Sequence, residues 1–297
     1  MPATLRGLTK KEFKRYPGLT NAGLLDDWWD KVDVQLALQG SGRSDYFKAA
    51  QVAFPTASTT IISKIIDAVF VAASSDAAGV TSLLNLLSSP NTDIWDLQSR
   101  ELQFQDNAQT QPITADGQAV QSIRPLLGGR TMTARSGLSL PTSDQNNGLN
   151  FPNSIAVMDF PEKQLRTAIM IFNPRNPNPS DLDPSMFLLG STLDTPFGPG
   201  YGTLLFYASG PVTQGRILLT DAVVAYDVAF PTGVSRLRVQ STGLVSVDSI
   251  AADRIYQGAP YFRTFYGNYR FLLLSETVFS DGEIALLNAF AKAYSSL

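Results

Sequence analysis

Arg263-Thr-Phe-Tyr-Gly-Asn-Tyr-Arg-Phe-Leu-Leu-Leu-Ser-Glu-Thr-Val-Phe-Ser-Asp-Gly-Glu-Ile-Ala-Leu-Leu-Asn-Ala-Phe-Ala-Lys-Ala-Tyr294 decides how this chain is read. Its apolar run, Phe271 to Leu274, is too short for a helix and follows Gly267 and Asn268, which fits a strand in a packed sheet. Ser280 and Glu283 then form an S-x-x-E capping box. The Ser280 hydroxyl is expected to accept from the Glu283 N–H, and the Glu283 carboxylate from the Ser280 N–H. Phe279 and Ile284 flank the cap at the spacing of a hydrophobic staple. Ile284, Leu287, Ala291 and Tyr294 share one helical stripe, widened by Leu286 and Phe290. The stretch predicts a strand running into a firmly capped helix that lies on the body of the protein.

Upstream, from residue 91, turn signals are dense: Ala115-Asp-Gly117, Gly128-Gly129, Asn146-Asn-Gly148, Pro196-Phe-Gly-Pro-Gly200, Ser209-Gly-Pro211 and Pro231-Thr-Gly233. Between them lie strand-like runs at 155–159, 166–172, 186–190, 203–207, 216–219, 222–229, 235–240 and 244–247. Arg236, Arg238 and Gln240 alternate with Leu237 and Val239 at the strand period. Many short strands at this spacing indicate a mainly β sandwich or barrel. The four prolines of Asn173 to Pro184 exclude a ladder strand there.

Residues 1–90 read differently. Leu25, Trp28, Trp29, Val32 and Leu36 make a helical stripe that ends at Gly40-Ser-Gly42, with acidic residues toward its start, where the helix dipole favours them. A second helix is expected over 59–73, capped by Ser58 or Thr59, and a short third over 80–87. The basic N-terminal stretch reads as an arm, either solvated or docked on a neighbouring subunit. The chain thus divides into a helical region, 1–90, for attachment or oligomerisation, and a β region, 91–297. If residues 1–90 fold only on assembly, the β region alone should be soluble and melt cooperatively.

Composition narrows the chemistry. The 297 residues are 44% apolar and carry a net charge of −3, so no basic field calls for nucleic acid. No run of about eighteen apolar residues predicts a membrane span, and no apolar segment behind the N-terminal basic residues predicts a secretory signal. The chain has no Cys and no His. Thiolate nucleophiles, Cys-based metal sites and a Ser-His-Asp triad are therefore impossible. The five Glu are Glu12, Glu101, Glu162, Glu276 and Glu283. None has an acidic residue two or four positions away in a strand-like run, as a glycosidase pair about 5 Å apart would need.

Leu102-Gln-Phe-Gln-Asp-Asn-Ala-Gln-Thr-Gln-Pro-Ile-Thr-Ala-Asp-Gly-Gln-Ala-Val120 resembles the opening of concanavalin A-like (laminin-G-like) domains in phage-encoded proteins. The matching positions are Phe104, Gln105, Asp106, Ala108, Thr110, Pro112, Thr114, Ala115, Gly117, Gln118 and Val120. Phe271-Leu-Leu-Leu with Ser280-Asp-Gly-Glu-Ile-Ala285 resembles their closing strand and helix, so the likeness spans roughly residues 91–297. Ile123-Arg-Pro-Leu-Leu-Gly-Gly129 departs from it, standing where those proteins carry a Gly/Asn/His-rich turn. The resemblance implies a concanavalin A-like jelly-roll sandwich with a C-terminal helix, in a virion protein.

The expected function is a non-enzymatic phage structural protein: a capsid decoration, tail or fibre component. Its expected partners are other virion proteins and further copies of itself, with no nucleic acid and no membrane insertion. A glycan-binding adhesin contacting the host surface is the alternative, and a polysaccharide hydrolase the third reading. Trp28 and Trp29 cannot both face one small core from a single helical turn, so they are interface candidates or half-buried. Tyr261 and Tyr266, beside Pro260 and Gly267, are the ring residues expected at the surface for a ligand or interface; their aromatic neighbours are expected in the core. Asp181 and Asp183 suit loop solvation and Asx-turns, with calcium as the alternative; Asp144, Asn146 and Asn147 read the same way. No other cofactor is expected.

Overall fold

The structure is a computed structural model and describes residues 43–74, 76–152, 156–174, 185–190, 204–207, 215–217, 222–226, 235–251, 255–256, 259–260, 265 and 267–296. The expected helix at 25–36 and residues 175–184 of the expected loop 173–184 lie outside these; Asn173 and Pro174, read from the sequence as loop, are instead the last paired residues of a strand, where proline at the strand end costs no interior ladder bond. Helix α1 (Arg43–Ala53) was not expected from the sequence; Ala50 and Phe54 bury its inner side, and Tyr46 meets Phe70 edge-on at 5.7 Å. Helix α2 (Thr59–Ala72) starts where the Ser58 hydroxyl accepts from the Ile61 N–H at 3.2 Å. Ile and Val are mediocre helix formers. Here packing holds them, since Ile61, Ile62, Ile65, Ile66, Val69 and Phe70 are all buried. Helix α3 (Ala77–Leu87) begins three residues earlier than expected, because Asp76 caps it through the Gly79 N–H at 2.8 Å.

Strands then dominate, in a curled antiparallel sheet. They are β1 (Thr92–Asp96), β2 (Gln103–Phe104), β3 (Ser122–Ile123), β4 (Met132–Ala134), β5 (Leu149–Phe151), β6 (Met158–Pro174), β7 (Ser185–Gly190), β8 (Leu204–Tyr207), β9 (Gly215–Ile217), β10 (Ala222–Tyr226), β11 (Ser235–Ile250) and β14 (Gly267–Ser275). Strands β12 (Ile255–Tyr256) and β13 (Ala259–Pro260) form a separate pair. A one-turn 3-10 helix, Arg100–Leu102, precedes β2. Helix α4 (Asp281–Ser296) closes the chain. The protein is mainly β with a C-terminal helix, as expected.

Long strands β6 and β11 form the spine of the sheet. The sequence reads each as two short strands, but each runs continuously through a register shift. Lys163 pairs with Val247 and Asp159 with Ser249, so Pro161 sits in the bulged interval, where a missing N–H breaks no regular ladder bond. Strand β14 pairs with β6 on one side and with β1 and β5 on the other.

Both faces of the sheet at β6 and β14 are covered. Ala168, Met170 and Phe172 of β6, with Leu272 and Leu274 of β14, face a cluster containing Trp95, Val120, Met132 and Phe151. The alternate residues Ile169, Ile171, Phe271 and Leu273 belong to a second cluster with α2, α3 and α4, including Ile66, Leu83, Leu287 and Phe290. Residues from either side of position 90 therefore share one apolar core. The expected terminal cap is present: the Ser280 N–H donates to Glu283 Oε2 at 2.8 Å, and the Glu283 N–H donates to the Ser280 hydroxyl at 3.4 Å. The staple residues Phe279 and Ile284 are both buried in the second cluster.

Candidate functional site

A cleft of about 550 Å³ opens where the helical layer meets the sheet. Helix α2 contributes Thr60 and Lys64, the segment after β1 contributes Gln98 to Glu101, and the turn before β5 contributes Gln145 and Asn146. Arg270 of β14 and Ser295 and Ser296 of α4 complete the lining. Among the described residues no aromatic and no aliphatic side chain lines it, so its chemistry is that of cations, amides, hydroxyls and one carboxylate.

Arg270 reaches the cleft through a bulge. Strand β14 pairs Tyr269 with Phe172 and then Phe271 with Ile171, leaving Arg270 as the extra residue. Residues two apart in a regular strand share a face. The bulge breaks that rule: Tyr269 packs with Phe172 in one core, and Phe271 with Ile171 in the other. The Arg270 carbonyl accepts from the Leu97 N–H at 3.0 Å, which anchors the bulge to the end of β1. Its guanidinium Nη2 donates to Asn147 Oδ1 at 3.2 Å.

The turn beside it is built by Asp144. This carboxylate accepts from the N–H groups of Asn146 at 3.1 Å and Asn147 at 2.9 Å, and from the Asn147 amide at 2.9 Å. That is an Asx-turn, the alternative to calcium that the sequence left open at these residues. Gly148 follows with a φ of +92° and lies against the Tyr269–Arg270 backbone.

The three cations of the cleft differ in how they are neutralised. Arg100 is paired with Asp116 at 2.6 Å, which holds the Asp116 carboxyl below its ordinary range. Lys64 stands 3.8 Å from Asp96 and 4.2 Å from the centre of the Tyr294 ring. Asp96 itself is buried and committed elsewhere, accepting from the Tyr294 hydroxyl at 2.7 Å, the Gln98 N–H at 3.0 Å and the Ser99 side chain. Burial, then the Asp96 charge, pushes the Tyr294 phenol up. Among the described residues, Arg270 has no carboxylate within ion-pair distance. Burial pulls its basicity down, and the Asp144 charge partly offsets that. Glu101, the one carboxylate of the lining, accepts from the Ser58 hydroxyl at 2.9 Å.

A second charged group has a buried centre and a partly exposed rim. Lys163 and Asp93 are 0% and 1% exposed and lie 3.3 Å apart, with Glu276 at 3.2 Å from Lys163 and Arg130 at 2.8 Å from Asp93. It ties β6 to β1 and to the residue after β14. Among the described residues no group of three or more Asp or Glu is placed to hold a metal ion.

The site residues named from the sequence, Trp28, Trp29, Tyr261, Tyr266, Asp181 and Asp183, all lie outside the described residues. Of the other aromatics in that stretch, Phe265, Tyr269 and Phe271 are core, and the Tyr269 hydroxyl donates to the Leu188 carbonyl at 2.8 Å. Sequence reasoning missed the cleft because its lining comes from five separated stretches. Arg270, a cation inside the otherwise apolar run Tyr269-Arg-Phe-Leu-Leu-Leu274, was the available signal. No protein-family model, curated protein or solved structure matches this chain.

Proposed function

We propose that the protein is a non-enzymatic structural component of a phage particle, with a concanavalin A-like jelly roll as its body and its N-terminal region as the attachment to other virion proteins and to further copies of itself. The observation that carries this reading is how residues 102–120 are used. Phe104 is buried in β2. Asp106 accepts from the Thr110 hydroxyl at 2.6 Å and from the N–H groups of Thr110 and Gln111 at 3.0 Å, bonds that hold its carboxyl below its ordinary range. Gln118 Oε1 accepts from the N–H groups of Thr114 at 2.7 Å and Ala115 at 3.0 Å. The residues shared with the phage domains are therefore those that hold the backbone of this segment, which supports a common scaffold rather than a common active site. A cleft with one lining carboxylate also favours a non-catalytic role over two-carboxylate hydrolysis.

The test is to purify candidate phage particles, count the copies of this chain by mass spectrometry, and locate it by antibody labelling in the electron microscope. Many copies over the head support a capsid decoration. A few copies at the tail tip support the adhesin form of the same reading. A particle without the chain overturns it.

A further inference from the structure

The cleft carries an inference that does not depend on where the chain sits in a particle. Arg270 is partly buried, aimed by a bulge, and lacks an ion-pair partner among the described residues. Asp144 offsets its burial only from beyond ion-pair distance, and a partly desolvated cation with no carboxylate in contact gains from an anion that reaches it. Lys64 enters from α2 with no hydrogen bond to its ammonium group, its nearest carboxylate being 3.8 Å away and already accepting from other donors. Ser295 and Gln98, 5% and 8% exposed, line the same cleft with Ser295 Oγ and Gln98 Oε1 unpartnered. Arg270, the loosely paired Lys64 and two unpartnered neutral polar atoms thus converge on one volume large enough for a small molecule.

The missing partner is anionic, and the groups around it are hydroxyls and amides. No ring lines the cleft to stack on the apolar face of a neutral sugar. We propose that the cleft binds a sugar acid: its carboxylate between Lys64 and Arg270, its hydroxyls on the Thr60 hydroxyl, the Gln98 and Asn146 amides and the Glu101 carboxylate. A carboxylate between two cations gains charge-assisted bonds that a neutral sugar cannot make. Glu101 in turn accepts from hydroxyls and repels a second negative charge, so a single carboxylate is favoured over a more highly charged phosphate.

Titration of the full chain with D-glucuronate, followed by calorimetry and by amide chemical shifts, tests the proposal against glucose and inorganic phosphate. Saturable binding of glucuronate, with glucose silent and phosphate weaker, is expected. Arg270→Gln should lose about tenfold or more in affinity, the scale of one charged hydrogen bond. Thr60→Glu should abolish binding by placing a like charge in the mouth of the cleft. Thr60 is exposed in the first turn of α2, where an acid suits the helix dipole, so this variant keeps the fold even if Arg270→Gln does not. A uronate tetrasaccharide that binds more tightly than the monomer identifies a chain-borne residue as the ligand; equal affinity identifies the free acid. No saturable binding, equal binding of phosphate or glucose, or affinity unchanged in Thr60→Glu overturns the proposal.

Discussion

A Cβ on Gly148 would lie 1.9 Å from the Tyr269 carbonyl oxygen and 2.9 Å from the Arg270 Cα, in a backbone with φ +92°. Gly117 has a similar φ of +81°, but nothing lies within 4 Å of its missing Cβ. The two positions separate conformational strain from collision. Gly117→Ala is expected to cost about 1–2 kcal/mol, the penalty of a left-handed conformation for an L-residue. Gly148→Ala adds a clash with backbone that cannot rotate away, and is expected to cost about 3–5 kcal/mol. Urea unfolding of both variants checks this, and equal losses would show that the turn yields freely. The same contact matters to the cleft, because the turn against Arg270 carries Asn146 and the Asn147 that accepts from the guanidinium. Sequence flagged Asn146-Asn-Gly148 as a turn. The close approach behind it depends on β14, more than a hundred residues away, and no local pattern announces that.

Among elements, α4 shows what sequence can resolve. Its cap, staple residues and buried stripe are where the spacing put them, because all three depend on residues within a few turns of one another. The cap has a pH signature. The Ser280 N–H, then its hydroxyl, holds the Glu283 carboxyl below its ordinary 4.5. A carboxyl whose pKa is lowered on folding contributes stability that is present in full above its unfolded pKa, and that is lost as pH falls through the folded value. Glu283→Gln should therefore be less stable than the natural chain at neutral pH, and the gap should close as pH drops below about 4.5, where the protonated carboxyl resembles the amide. Urea midpoints measured across that range decide it; a gap independent of pH would assign the cap to packing alone. Ser280→Ala, which removes both the acceptor for the Glu283 N–H and a donor to the Glu283 carboxylate, should cost about 1 kcal/mol at neutral pH and less once Glu283 is protonated. The spine strands show where local reading fails. Pro161-Glu-Lys-Gln164 falls between the runs 155–159 and 166–172 read as separate strands, yet Lys163 is 0% exposed, held by Asp93 of β1 and by Glu276 just after β14. A polar run becomes buried strand only when distant charges meet it, so β6 was legible in pieces and not as one element.

At the scale of the molecule, the helices and the sheet share a core, and this bears on how the chain can be divided. Ile61, Ile66, Leu83 and Leu87 lie in one cluster with Ile94, Ile169, Ile171, Phe271, Leu273 and the inner face of α4. A chain begun at residue 91 keeps the sheet and α4 but loses α1, α2 and α3. Exposing a buried Ile, Leu or Phe side chain costs about 1.5–3 kcal/mol. Four such exposures cost about 6–12 kcal/mol, which matches the whole margin of a typical domain, about 5–15 kcal/mol. The shortened chain should therefore aggregate, or bind an apolar dye and melt without a sharp transition. A chain that keeps α1 to α3 and begins at residue 43 should show a single transition, coincident by helix signal and by near-ultraviolet signal. Substituting Ile66→Ala in α2 and Leu272→Ala in β14 should each lower that one transition, by about 2–5 kcal/mol apiece, because neither layer has a stability of its own to lose. A soluble, sharply melting chain from residue 91 would reverse this. It would mean that the sheet and α4 close over their own apolar face, and that the helices dock afterwards as a separate attachment piece.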